Sequence, residues 1–306
     1  MLEKYLKKTN IYYLKHELLG RSAVTFFGVF LVLLTMCLVF FISSKGLSTF
    51  LKNHFSITDF LFSSTWKPDR TAAEGGPKIG SFIFIVGSLS VSAIALLLST
   101  PFSICTAIFM TEISPNIGKK LLQPAIEIFV GIPSVVYGWV GLSLLVPFIR
   151  KNIGGLGFSL LAGGLVLSIM IFPTIASVAA DSLRALSGDY KEASYALGAT
   201  RWQTIRRVLV PAAFPGILTG IVLGLARAFG EALAVQMVIG NAIRLPKSIL
   251  DPTTNLTSII TMDMANTVMG TEWNNALWSM ALLLLLLSFL FIIIIHKVGA
   301  KGGLNK

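Results

Sequence analysis

The sequence is poor in charged residues. Only 13% of its 306 residues are Asp, Glu, Lys or Arg, whereas an ordinary soluble domain has about 25%. Apolar residues make up 54% of the chain, and the mean hydropathy is +0.79. There is too little polar surface to cover a soluble globule, so a lipid bilayer must solvate much of the chain. We therefore predict an all-α, polytopic integral membrane protein.

Residues that build catalytic or metal centres are few and scattered. Cys37 and Cys105 lie inside apolar runs, where they act as small hydrophobic side chains. The three histidines, His16, His54 and His296, have no metal-ligand spacing. No segment fits the phosphate-binding motif of nucleotide hydrolases, and no nucleophile–base pair is evident. We expect neither an enzyme nor a bound cofactor.

Basic residues outnumber acidic ones and give a formal net charge of +11. Such a charge could indicate nucleic-acid binding. However, the basic residues lie in short clusters between apolar stretches, which is the arrangement that sets topology in membrane proteins. We therefore expect membrane lipid around the chain and no nucleic-acid partner.

Six segments are long and apolar enough to span a membrane as helices of about 20 residues; they are roughly 22–43, 79–109, 125–149, 156–180, 212–240 and 275–296. With the N-terminus inside, 15 Lys and Arg residues fall inside and 9 outside, which favours both termini in the cytoplasm. Pro101 predicts a kink in the second span. The predicted regions are an N-terminal segment with the first span and an outer loop (1–78), a transmembrane core (79–298) and a cytoplasmic tail (299–306).

The cytoplasmic loop at 181–211 has the signals of two short helices. Asp189 and Glu192 fit a capping box, and Gly198 suits a left-handed helix end. Thr200 can cap a second helix that leads into the fifth span. The pattern predicts a compact projection, called here the 181–211 knob. It could dock on a protein partner, or lie as an amphipathic hairpin on anionic lipid.

The knob resembles the EAA loop of ABC-importer permeases, and the matching residues are Glu192, Ala193, Gly198 and Pro211. The family pattern is Glu-Ala-Ala, three residues, Gly, nine residues and Ile-x-Leu-Pro. Here Ser194 replaces the second Ala, while Val208 and Val210 replace Ile and Leu. The resemblance implies that the knob couples the chain to a separate ATPase subunit.

Two further stretches are similar to the phosphate-specific (Pst) permeases. One is Gly-Ile-Pro-Ser-Val-Val-Tyr-Gly at 131–138; the other is Ala-Arg-Ala-Phe-Gly-Glu-Ala-Leu-Ala-Val at 226–235. The continuation to Ile-Gly-Asn at 239–241 looks like the PstC type, although Ala232 stands where Thr is common. The resemblance covers roughly 80–296.

This resemblance implies a type I ABC importer permease fold in the bacterial cytoplasmic (inner) membrane. The chain would form half of a path for inorganic phosphate. Its implied partners are a second permease subunit (PstA type), two ATPase subunits (PstB type) and an extracytoplasmic phosphate-binding protein (PstS type).

Arg227 and Glu231 place a charged pair in the fifth predicted span. At about 100° per residue, they share one stripe roughly 80° wide with three glycines, namely Gly216, Gly220 and Gly224. Small residues four apart indicate a close helix–helix contact. The pair could lock two helices together. Alternatively, Arg227 could bind an oxyanion in the path, since its planar fork donates two hydrogen bonds, with Glu231 holding it in place.

Three residues of the third span, Gly131, Pro133 and Gly138, predict a break or thinning of that helix. Such a break lets another helix pack closely or exposes carbonyl groups to a cavity.

Other functions remain open from the sequence. The chain could be the sister PstA-type subunit or a permease for sulfate or molybdate. An ion-coupled secondary transporter would use Arg227 and Glu231 as a proton relay, but it predicts paired broken helices in two related halves, which the sequence does not show. A membrane scaffold without transport is a third alternative.

Overall fold

The computed structural model describes the backbone of residues 2–302 and the side chains of residues 17, 19–71, 73–295 and 297. The helices are, in chain order, α1 Leu2–Gly46, α2 Ser48–Leu51, α3 Ile57–Phe62, α4 Phe82–Ile108, α5 Pro115–Ile117, α6 Gln123–Gly131, α7 Ser134–Val140, α8 Val146–Asn152, α9 Leu160–Arg184, α10 Asp189–Ala196, α11 Arg201–Thr204, α12 Val210–Gly230, α13 Leu233–Ile239, α14 Leu256–Asp263 and α15 Glu272–Gly302. Of the predicted tail, residues 303–306 lie outside the described residues.

Within the described chain, five helical stretches are long and apolar enough to cross a membrane; they are Leu19–Leu51, Phe82–Ile113, Leu160–Arg184, Arg201–Gly230 and Glu272–Ile295. Two further helices, Pro115–Gly131 and Ser134–Asn152, meet at a bend of 95°, and together they count as a sixth span. The prediction of about six spans is confirmed. The third span is sharply broken between Gly131 and Ser134, where Gly131 and Pro133 predicted a break.

Helix α1 stands largely apart from the rest of the bundle. Its Phe26 and Phe30 side chains are 65% and 54% exposed, which is tolerable because lipid solvates apolar side chains. It joins the bundle near its C-terminal end. There, Phe41 packs edge-on against Trp278 at 5.3 Å between ring centroids, and Ser279 Oγ donates to the Gly46 carbonyl at 2.5 Å.

Helix α9 is the centre of the fold and packs against both α4 and α12. Leu167, Ile171 and Ile175 are fully buried in this layer. The helices approach closely because small residues line the contact: a Cβ at Gly164 would lie 2.4 Å from Ile94. The glycine stripe of α12 packs on another side of α9. A Cβ added at any of its three glycines would lie between 2.2 and 3.2 Å from the nearest atom of α9; these glycines are Gly216, Gly220 and Gly224.

The loop after α1 folds back onto the bundle instead of extending from it. Its two strands, β1 Trp66–Lys67 and β2 Lys78–Ile79, form a small antiparallel ribbon, so the all-α prediction holds with this one short exception among the described residues. Phe60 and Trp66 are buried in one apolar cluster with Phe84 of α4 and Leu277 of α15. This loop therefore shares a core with the helices that follow.

Between residues 2 and 302, four widened, π-helical turns occur, at Phe109–Ile113, Gly118–Leu122, Gly141–Leu145 and Ile205–Leu209. None was expected from the sequence. Such turns change the register of a helix and often occur at functional positions. Three of them, at 109–113, 118–122 and 205–209, lie at the end of the bundle that carries the 181–211 knob.

Candidate functional site

The helix that carries Arg227 ends before it reaches Glu231. Helix α12 stops at Gly230, and Glu231 has an extended backbone with φ −77° and ψ 121°. Two residues four apart share a face only when one helix runs through both. The prediction of a stripe that includes Glu231 is therefore wrong, and so is the predicted ion pair. In the described part of the chain, the salt bridges are Arg184–Asp181 and Lys191–Glu112.

Glu231 makes two hydrogen bonds at this break. Its carboxylate Oε1 accepts from the backbone N–H of Ala234 at 3.0 Å and so caps α13. Its carbonyl oxygen accepts from the hydroxyl of Thr257 at 2.8 Å. Both contacts hold the chain open at residues 231–232.

Arg227 instead reaches across to α9. Its Nη1 donates to Thr174 Oγ1 at 3.2 Å, and the side chain is part-buried. Thr174 directly follows Pro173, which lies inside α9 and has no N–H for the helix ladder. The guanidinium group thus lies at a point where a neighbouring helix is itself weakened.

The break in the third span lies between α6 and α7. Helix α6 ends at Gly131, and α7 begins at Ser134 after the extended residues Ile132 and Pro133. The hydroxyl of Tyr137 donates to the Phe129 carbonyl at 2.7 Å, which satisfies one of the last carbonyl groups of α6. A Cβ at Gly131 would have no atom within 4 Å, so this glycine makes no close contact.

Gly138 brings the two broken spans together. A Cβ there would lie 2.9 Å from the Cα of Ala234 and 2.8 Å from the sulfur of Met237, both on α13. Helix α7 follows the break in the third span, here called the first break. It therefore packs on α13, which follows the second break, at Glu231. The sequence predicted the first break but not the second, and it did not show that they meet.

Helix α14 is a part of the site that sequence reasoning missed. It lies inside the loop after the fifth span, and Leu256 and Ile259 are buried in the core. Its contacts to the second break are the bond from Thr257 and a 2.9 Å bond between the Thr261 hydroxyl and the side chain of Gln236. The available signal was Asn255, whose side chain caps the helix by accepting from Ser258 N at 2.8 Å.

The 181–211 knob has two short helices, as predicted, joined at Gly198, whose φ is +76°. Thr200 caps α11 in a full capping box with Gln203. The capping box predicted at Asp189 and Glu192 is wrong, because α10 begins one residue earlier than expected, at Asp189 itself. Its N-cap is Gly188, which has no side chain to accept a hydrogen bond.

The two knob helices are held together by a buried bond. The hydroxyls of Ser194 and Thr204 lie 2.9 Å apart, so the Ser that departs from the EAA pattern has a structural use. Glu192 and Ala193 are exposed on α10. The chain then runs as one helical stretch from Arg201 to Gly230. Pro211 lies in this stretch, directly after the π-helical turn Ile205–Leu209 and Val210.

Comparison with known proteins shows the family. The model of the binding-protein-dependent transport system inner membrane component family matches residues 100–301. The chain belongs to this family. It is a multi-pass membrane permease subunit of an ABC importer, similar to the PstC type, and ATP hydrolysis takes place in a separate subunit. An importer of this kind also includes a substrate-binding protein.

Relatives match the permease over most of its length. It is 52% identical over 286 residues to the "Probable ABC transporter permease protein YqgH" of Bacillus subtilis, covering 93% of this chain and 91% of the relative. It is 36% identical over 314 residues to the "Phosphate transport system permease protein PstC" of Pasteurella multocida, covering 94% of each.

The fold of the permease is also that of a solved importer. It superimposes on an inward-facing structure of the MetNI methionine ABC transporter with a TM-score of 0.54 and 19% identity, covering 71% of this chain and 93% of that one. The prediction of an ABC importer permease fold is confirmed.

Proposed function

We propose that this permease is the PstC-type subunit of an ATP-driven importer for inorganic phosphate. The observation that carries the proposal is the setting of Arg227, whose guanidinium group contacts a hydroxyl inside the bundle. Among the described residues, no carboxylate lies within ion-pair distance of it. A positive charge in this setting is suited to meet an anion.

The depth of Arg227 follows from its partner. Thr174 lies about 21 Å along α9 from its first residue, in a helix about 38 Å long at 1.5 Å per residue. The guanidinium group is therefore near the middle of the span. A charge there costs several kcal/mol unless it faces a polar partner or a water-filled path. A path that admits anions would compensate that cost.

Phosphate suits this group chemically. The planar guanidinium fork donates two hydrogen bonds to an oxyanion and keeps its charge when desolvated. Relatives named as phosphate transport system permease proteins support the same substrate, including one from Haemophilus influenzae at 35% identity over 79% of this chain. We propose that Glu231 serves the path by holding the break beside Arg227, not by neutralising it.

The knob is the proposed contact with the ATPase. Its surface carries exposed apolar side chains, with Leu197 89% and Trp202 59% exposed, next to Glu192 and Ala193. An exposed apolar patch of this kind marks an interaction site. In this arrangement the knob and both termini are cytoplasmic. Residues 79–298 form the transmembrane core, which follows the N-terminal region 1–78 and precedes the tail 299–306.

The remaining partners follow from the family. A PstA-type permease would complete the path, two PstB-type ATPases would drive it, and a PstS-type protein would deliver phosphate from outside. Closure of the ATPases would push on the knob, and the spans would then expose Arg227 to the outer side.

Uptake of labelled phosphate into vesicles that hold the co-expressed complex tests the proposal. Arg227→Lys should lower uptake by at least about tenfold, because Lys cannot reproduce the planar fork. Assembly with the ATPase should be unchanged. Arg150→Lys, at an exposed position, is the matched control and should transport normally.

Two results would contradict the proposal. One is full phosphate uptake by Arg227→Lys. The other is a wild-type complex that imports sulfate or molybdate but not phosphate.

A further inference from the structure

Glu112 lies at the knob end of α4, inside the π-helical turn Phe109–Ile113, and both knob helices reach it. From α10, Lys191 Nζ lies 2.9 and 3.0 Å from the two carboxylate oxygens of Glu112. From α11, the Arg201 guanidinium group donates to the backbone carbonyls of Glu112 and, at 3.1 Å, Ile113. Glu112, in the turn that directly follows α4, therefore contacts both helices of the knob.

The ion pair differs from an ordinary surface pair because its acid is buried. The Glu112 side chain is 9% exposed and that of Lys191 is 38% exposed. In the pair Arg184–Asp181, by contrast, the side chains are 37% and 68% exposed. Exposed pairs contribute little, whereas removal of one partner from a buried pair leaves an uncompensated charge. The contact at Glu112 is thus the firmer attachment.

The backbone part of the contact has its own cause. The last carbonyl groups of a helix have no N–H partner within that helix, and the chain turns away at Ser114 and Pro115 directly after the π-helical turn. The carbonyls of Glu112 and Ile113 are such groups. Arg201 supplies their donors, so this helix end is completed by the knob and not by its own chain.

The same turn leads straight into the broken span. The N–H of Ser114 bonds to the Phe109 carbonyl at 2.9 Å, and that of Gly118 bonds to the Ser114 carbonyl at 2.8 Å. Gly118 also packs on the turn so tightly that a Cβ would lie 2.5 Å from the Met110 carbonyl oxygen. From here the chain passes through α6 and the 95° bend to α7, which packs on α13 beside Glu231.

We propose that Glu112 is a positioning residue for coupling, through which a push on the knob moves the broken span as well as α12. The knob continues directly into α12 along the helical stretch Arg201–Gly230. The contact at Glu112 adds a second connection, to the span whose far half packs on α13. Both connections end next to the break at 231–232. The inference rests on the proposed contact between the knob and the ATPase.

The test measures phosphate taken up per ATP hydrolysed by the full complex in vesicles, using Glu112→Ala and Lys191→Ala. Each variant should lower this ratio at least fivefold while ATP hydrolysis stays within twofold of wild type. The double variant should be no worse than either single one, because both remove the same contact. Asp181→Asn, in the exposed pair, is the control and should keep the wild-type ratio.

A purely structural role gives a different result. If Glu112 only stabilised the knob, uptake and ATP hydrolysis would fall together, and their ratio would stay at the wild-type value; that outcome overturns the inference. If the Glu112→Ala complex fails to assemble, Lys191→Ala tests the inference by the same ratio. Lys191 is the more exposed partner, so its replacement should disturb assembly less. A wild-type complex that hydrolyses ATP but imports no phosphate would contradict the proposed substrate instead.

Discussion

The Nη1 of Arg227 lies 3.2 Å from the Oγ1 of Thr174, the residue that directly follows Pro173 inside α9. This contact orients the guanidinium group towards α9, while Glu231, four residues away in sequence, is occupied as a cap. The position of the charge therefore depends on a hydroxyl of another helix.

Thr174→Val should lower phosphate uptake several-fold, since it keeps the shape of the side chain but removes the acceptor for Arg227. Thr174→Ser, which keeps the hydroxyl, should retain most of the activity. Initial rates of uptake in vesicles check this. Thr219→Val is the control, because that exposed hydroxyl bonds only within its own helix. Equal rates for the Val and Ser variants at position 174 would contradict the prediction.

The hydroxyl of Thr257 is expected to stabilise the second break. Thr257→Val leaves the Glu231 carbonyl without this donor, which costs about 1–3 kcal/mol when the group is buried. Thermal unfolding of the purified complex should show a lower Tm for Thr257→Val. Thr257→Ser, which keeps the hydroxyl, should have a Tm close to that of the wild type. Thr25→Val, whose hydroxyl bonds within α1, should leave Tm unchanged. If that control falls as far as Thr257→Val, the effect is not specific to the break.

Two glycines should respond differently to the same substitution. Gly224→Ala places a Cβ about 2.7 Å from Ile175, and overpacking of this kind costs about 1–3 kcal/mol. Gly131→Ala meets nothing within 4 Å and should be close to neutral. Thermal unfolding of both variants in detergent tests this. A greater loss at position 131 would show that the packing contact between α9 and α12 is not what these glycines serve.

Gly198 is expected to be required for the shape of the knob. Its φ of +76° costs a residue with a Cβ about 1–2 kcal/mol, and Pro, fixed near −65°, cannot adopt it. Gly198→Pro should abolish transport or uncouple it from ATP hydrolysis. Gly188→Ala, at a negative φ and in open space, is the control in the same knob. Coupled transport by Gly198→Pro would place the coupling site elsewhere.

Asp263 should make stability depend on pH. Burial raises the pKa of Asp263 above its ordinary value of 3.8, although a hydrogen bond from Trp66 lowers the pKa in part. A carboxyl group whose pKa is raised in the folded state contributes stability that is full below 3.8 and is lost as pH rises through the folded pKa.

Asp263→Asn cannot ionise and should therefore remove this dependence. Between about pH 4 and pH 8, the Tm of the wild type should fall relative to that of the variant. Asp59→Asn, at an exposed position in α3, should follow the wild type. If the Tm difference between wild type and Asp263→Asn stays constant across this range, Asp263 does not titrate in it.

The number of spans and the two-helix knob could be predicted because their signals are local. A run of about 20 apolar residues partitions into a bilayer whatever lies beside it, and Gly198 and Thr200 act on helices that they directly adjoin. The capping box failed for a local reason too: a shift of one residue at the start of α10 moved Asp189 out of the capping position.

The candidate site could be predicted only in part. Arg227 was found because a charge in an apolar run stands out, but its partner Thr174 is 53 residues away in sequence. Glu231 was assigned to the wrong face, since helical spacing assumes that the helix continues. Helix α14 was missed because its apolar residues are too few to stand out in a polar loop.

The sequence by itself determined that this chain crosses a membrane and where its spans lie. It also determined that a knob of the EAA type lies between the fourth and fifth spans. These properties depend on hydropathy and on residues close together in the chain. Only the tertiary structure decided that the fifth span breaks at Glu231, that α7 packs on α13, and that Glu112 joins both knob helices. Each of these depends on hydrogen bonds or close packing between segments distant in sequence, such as Thr257 to Glu231 and Lys191 to Glu112.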